Sequence, residues 1–114
     1  MMNIETIRDY CLSKKGTIES FPFDDDTLVF KVGGKIFACI SISRPDCLVL
    51  KCDAERAIEL REQCSYIEPA WHFNKKYWNQ IWFFMASEAI VKELIDHSYS
   101  EVLKKLTKKQ LIAL

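Results

Sequence analysis

At 114 residues, with 49% hydrophobic content and three prolines, the chain has the length and composition of one globular domain over 1–114, which excludes intrinsic disorder. Sixteen basic residues balance sixteen acidic ones, which excludes a molecule basic all over and leaves room only for a local positive patch. No apolar run approaches the ~20 residues that cross a bilayer. Met1 to Arg8 also lacks the basic-then-apolar order of a signal peptide, so a cytoplasmic location is expected.

Asn3 is placed to cap a first helix, with Ile4, Ile7 and Cys11 on one face and Gly16 ending it. Four strand signals follow, over 17–21, 28–32, 35–42 and 47–52. The charged run Asp24-Asp25-Asp26 turns the first hairpin, Gly33-Gly34 the second and Arg44-Pro45-Asp46 the third. Adjacent glycines supply the positive φ of a two-residue turn, so the second is the strongest hairpin signal in the chain. Asp53 caps a second helix through Ala57, Ile58, Leu60 and Arg61 to about Gln63, and Pro69 interrupts regular structure. Trp78 to Phe84 reads as a fifth strand, apolar on both faces and therefore covered. Ser87 opens another helix, and Ser98-x-x-Glu101 has the form of a capping box that starts a separate final one. The order helix, meander, helix, strand, helix predicts an α+β, two-layer domain: about five antiparallel strands packed by the N- and C-terminal helices.

Enzyme templates do not fit. Val32-Gly33-Gly34-Lys35 lacks the spacing of a phosphate loop and lies between strands, not before a helix. No local signature joins a cysteine to His72 or His97. Five cysteines at 11, 39, 47, 52 and 64, with no Cys-x-x-Cys and only two histidines, predict reduced core thiols and neither disulfides nor a zinc site. The expectation is a non-enzyme without a cofactor or metal.

The run Pro69-Ala70-Trp71-His72-Phe73-Asn74-Lys75-Lys76-Tyr77-Trp78 is the unusual stretch. It sets large flat side chains beside fixed positive charge, a surface suited to a planar, anionic partner such as a nucleic acid. This stretch resembles the signature of the MmcQ/YjbR family, which runs Pro-x-x-His-x-Asn-Lys-x-x-Trp. The segments FKVGGKIFA at 30–38, LVLKCD at 48–53 and IDHSYSEVLKKLTKK at 95–109 agree with it in order and spacing. The resemblance implies a compact α+β domain of frataxin (CyaY-like) architecture, with a DNA-binding, double-wing role. Frataxins carry an acidic metal-binding ridge on the first helix and strand. Here the first helix offers only Glu5 and Asp9, interleaved with Arg8, Lys14 and Lys15, so metal handling is not expected.

The resulting nucleic-acid-binding candidates are Lys31, Lys35, His72, Asn74, Lys75 and Lys76. Lys31 and Lys35 flank the Gly33-Gly34 turn as one wing, and Asn74, Lys75 and Lys76 precede the fifth strand as the second. Lysines meet phosphates as point charges, while His72 or Asn74 reaches a base edge or orients the loop. Against this stand plainer roles: Lys31 and Lys35 as solvated cross-strand residues, His72 as a structural tie, Trp78 and Tyr99 as core. The partner is thus DNA, bound weakly by a monomer, or alternatively another protein, since aromatics within a polar rim also mark protein interfaces.

Overall fold

The computed structural model describes residues 2–114. Helix α1 is Ile4–Leu12, followed by strands β1 (Thr17–Ser20), β2 (Thr27–Val32), β3 (Lys35–Ser41) and β4 (Cys47–Lys51). Helix α2 (Ala54–Gln63) leads to β5 (Ile67–Pro69) and β6 (Trp78–Trp82), and the chain ends with α3 (Glu88–Leu103) and α4 (Lys108–Ile112). The strands form one antiparallel sheet in the order β1-β2-β3-β4-β6-β5. The architecture is the expected α+β with two layers, but with six strands where about five were expected.

Alternation along the strands divides the sheet into two faces. Leu28, Phe30, Val32, Ala38, Ile40, Leu48, Leu50 and Ile81 turn towards the helices and are buried with Ile7 and Cys11 of α1 and Val91, Leu94, Ile95 and Val102 of α3. Between β2 and β3 the register shifts from Phe30↔Ala38 to Lys31↔Ile36. This bulge leaves Phe37 without an opposite residue and lets it join the same core, edge-on to Tyr99 at 5.4 Å between ring centroids.

Three local expectations are corrected. The α1 helix ends at Leu12 with Ser13 as its cap, and Gly16 (φ 75°) serves the turn into β1 instead. Residues 67–69, read as irregular because of Pro69, form edge strand β5, where a missing N–H is tolerated. Strand β6 stops at Trp82, and a single 3-10 turn over Phe83–Met85 follows, leaving Phe84 and Met85 exposed.

The capping box at Ser98 does not exist. Helix α3 runs through it, and fully buried Ser98 donates to Phe37 O and accepts from the Lys51 N–H at 2.9 Å, fastening α3 to β3 and β4. The final helix begins later, where Thr107 and Gln110 form the reciprocal cap. No helix among the described residues is long and apolar enough to cross a membrane.

Candidate nucleic-acid interface

Register places both predicted wings at one end of the sheet. The β2–β3 turn lies beside the start of β3, which pairs antiparallel with β4, so it neighbours the Lys51 end of β4. Lys51 in turn pairs with Trp78, the first residue of β6, directly after the 70–77 loop. Lys51 therefore stands between the two hairpins. Burial holds its pKa below the ordinary lysine value, with the like charges of Lys105 and Lys35 adding to the effect and Glu101 and Tyr77 opposing it. That set of neighbours draws together β3, β4, the 70–77 loop and the end of α3.

Gly33 and Gly34 both have positive φ, 58° and 79°, the requirement of the tight turn their sequence predicts. Alternation sets Lys31, which is half-buried, on the sheet face away from the helices, while Lys35 stands exposed at the turn. Lys35, not Lys31, joins Lys51 and Lys105.

The 70–77 loop is two consecutive turns. Phe73 N–H donates to Ala70 O (3.2 Å), and Tyr77 N–H donates to Asn74 O (3.0 Å). Asn74 Oδ1 accepts from the Lys76 N–H at 3.1 Å, so this side chain shapes the loop. Phe73 packs on Trp78 with ring centroids 4.9 Å apart, which anchors the loop's inner side. On its outer side Trp71 is 61% exposed, with Lys75 Nζ 5.2 Å from its ring centre, and Lys76 Nζ lies 5.4 Å from that of Tyr77. The loop thus presents aromatic rings with cations resting on them. His72 is exposed and lines a groove on the open sheet face, apart from that arrangement.

Arg61, on α2, holds the loop in place. It donates to Asn79 Oδ1 at 2.6 Å, to Trp78 O at 3.4 Å and to Lys75 O. Its partner Asn79, 2% exposed on β6, donates to Ala57 O at 3.3 Å. Sequence reasoning missed Arg61 and Lys51. A helical arginine and a strand lysine carry no local signal, and only strand register brings them to this end of the molecule. Among the described residues, Lys31, Lys35, Lys51, Lys75, Lys76 and Lys105 are in no ion pair. Their charge is available to an anionic partner.

The YjbR family profile matches residues 12–101. Among curated proteins the chain is similar to Uncharacterized protein YbdF of Escherichia coli O157:H7, 34% identical over 91 residues covering 78% of this chain and 75% of that one. It is also similar to Uncharacterized protein YjbR of Escherichia coli K12, 28% identical over 107 residues covering 92% and 91%. Among solved structures, Deinococcus radiodurans protein DR2400 (domain DUF419) superposes with TM-score 0.88 at 38% identity, over 96% of this chain and 86% of that one. A protein from Pseudomonas syringae gives TM-score 0.73 at 26% identity, over 85% and 96%.

Proposed function

Taking as premise that the chain belongs to the YjbR family, we propose that it is a non-catalytic nucleic-acid-binding protein that binds DNA weakly through the end of its sheet. The observation that carries this reading is the meeting of both hairpins at one end, with Lys51 between them and, among the described residues, no ion pair at Lys31, Lys35, Lys51, Lys75, Lys76 or Lys105. In this reading the hairpins are the two wings of a CyaY-like protein. Lys35, Lys75 and Lys76 meet phosphates, with Lys31 on the flank and Lys51 adding to the field. Asn74 keeps the second wing in shape, and His72 borders it. Exposed Trp71 and Tyr77 offer faces on which unpaired bases stack. The protein works as a cytoplasmic monomer without a resident cofactor; its five unpaired cysteines suit a reducing compartment.

Titration of labelled single- and double-stranded DNA at two ionic strengths tests the proposal. Affinity should fall steeply with salt, and replacing Lys75 and Lys76 together by alanine should reduce the slope of log K against log salt by about 2. Absence of binding at low salt, or an unchanged slope in the double variant, refutes it.

A protein-interaction module is the second reading, supported by exposed Ile58, Trp71, Phe84 and Met85. It predicts binding that depends on those apolar groups and varies little with salt.

A further inference from the structure

The sheet face turned away from the helices carries a groove of about 600 Å³, within the range of small-molecule sites. Its floor is Cys39, Cys47 and Val49, and Phe23, Phe73 and Trp82 also line it. Burial pushes the Cys39 thiol up to about 12 and the Cys47 thiol up to about 11, with Arg44 opposing the effect on Cys47 and Asp46 and Glu68 adding to it. Both are therefore neutral at physiological pH, and the floor is uncharged.

Asp24, Thr27, Ser41, Arg44, His72 and Gln80 are the polar residues that line this trough, and two of them, Arg44 and Gln80, keep bonding capacity beside its aromatic side chains. Arg44 rests 4.9 Å from the centre of the Trp82 ring and is in no ion pair among the described residues. Of the carboxylates nearby, Asp46 makes no ion pair with Arg44 among the described residues, and Asp24 and Asp26 are committed elsewhere. Asp24 accepts from the backbone N–H groups of Asp26 (2.8 Å) and Thr27 (2.7 Å). Asp26 accepts from Ser43 N–H (2.8 Å), Ser43 Oγ (2.9 Å) and Ser41 Oγ.

Gln80 is the second group. Its Nε2 donates to Glu68 Oε1, which also accepts from Trp82 Nε1 at 3.2 Å. A carboxylate only accepts, so the amide nitrogen must face Glu68, and the carbonyl oxygen of Gln80 is left for a donor.

Aromatic walls, an uncharged floor, one unpaired guanidinium and one oriented acceptor define a ligand. We propose that the groove is a reversible binding site for a planar aromatic carboxylate bearing a ring N–H. The ring system lies along the Cys39–Val49 floor beside the aromatic side chains, the carboxylate pairs with Arg44, and the N–H donates to Gln80 Oε1. The lysines of the sheet end are not among the residues that line this site, although His72 and Phe73 of the 70–77 loop are.

Indole-2-carboxylate and its neutral carboxamide are suitable probes, titrated into isotope-labelled full-length protein and followed by NMR. The acid should shift the Trp82 indole N–H and the amides of Cys39 and Val49, and the carboxamide should bind about tenfold more weakly. Arg44 is exposed, so Arg44→Gln should lower the melting temperature only slightly, through the lost contact with the Trp82 ring, while bringing the acid down to the affinity of the amide. Gln80→Met should weaken both. The assignment is overturned if groove signals stay still at about 5 mM probe, if acid and amide bind alike, if Arg44→Gln keeps the discrimination, or if the shifts map elsewhere.

Discussion

Replacing Arg61 by methionine keeps the aliphatic stem of the side chain and removes the guanidinium that ties α2 to the β5–β6 hairpin. Three hydrogen bonds disappear, to Asn79 Oδ1, Trp78 O and Lys75 O. Lys75 O lies near solvent and can take up water, and Trp78 O keeps the Ala70 N–H at 3.1 Å, whereas Asn79 is 2% exposed and its Oδ1 loses its partner. A bond from a charged donor contributes roughly 1.5–3 kcal/mol, and a buried acceptor left unsatisfied costs roughly 1–3 kcal/mol. Because the two describe largely the same loss, the expected destabilisation is about 3 kcal/mol, a sizeable part of a typical 5–15 kcal/mol total. For a domain of this size that lowers Tm by roughly 10 °C. Asn79→Leu isolates the mechanism, since leucine fills a similar space without an acceptor. In a urea-unfolding double-mutant cycle, Arg61→Met combined with Asn79→Leu should cost about 1–2 kcal/mol less than the sum of the single changes. A single-variant cost below about 1 kcal/mol, or strict additivity, refutes the argument that Arg61 satisfies Asn79.

Ser98→Ala should destabilise by about 2 kcal/mol in the same assay, because it leaves the Lys51 N–H and Phe37 O without their buried partner; an unchanged midpoint counts against the fastening role. Gly33→Ala should be worse than Gly34→Ala. Both residues have positive φ, costing about 1–2 kcal/mol each with a Cβ, but a Cβ at Gly33 would also meet Leu106 Cδ atoms at 2.7 Å while one at Gly34 meets nothing within 4 Å. Equal losses in thermal melts would contradict this. Burial, reinforced by Arg56, holds His97 below its ordinary range, and its Nε2 accepts from the Asp53 N–H at 3.1 Å. The unfolded chain therefore takes up a proton first as pH falls through about 6.5. Stability should decline from there until folded His97 itself protonates, and His97→Gln should flatten that part of the profile. Losses from Glu19 and Asp24, whose carboxyls are held low by Arg8 and by backbone N–H groups respectively, belong to a more acidic window, near pH 4 and below.

Much of the meander was legible because its signals are local. Gly33-Gly34 fixes a turn by backbone conformation alone, and Asp53 and Ser87 cap the helices they were expected to cap. The misreadings have a common cause. Pro69 is a reliable breaker only where its missing N–H is needed, and at the sheet edge it is not. Ser98-x-x-Glu101 matches a cap in spacing, but Leu94, Ile95, Ser98 and Val102 continue one buried face, and the gain from burying that face outweighs the cap. The aromatic–cation loop at 70–77 stood out in composition, whereas the residues that make it a surface, Arg61 and Lys51, lie on other elements. The open-face groove was invisible for the same reason: its lining comes from five stretches of chain, and only the one holding His72 and Phe73 stood out in the sequence.

The two margins of the sheet are a four-residue strand and a three-residue strand ending in proline. A foreign strand zipping onto either would find few main-chain groups to pair with, and on the β5 side one of them is a residue with no hydrogen to donate. Recruitment by strand addition, and the runaway stacking that open margins invite, are thus discouraged at the perimeter. Docking through side chains is favoured instead, so point substitutions at exposed positions such as Lys75, Lys76 and Arg44 should weaken binding without disturbing the scaffold beneath.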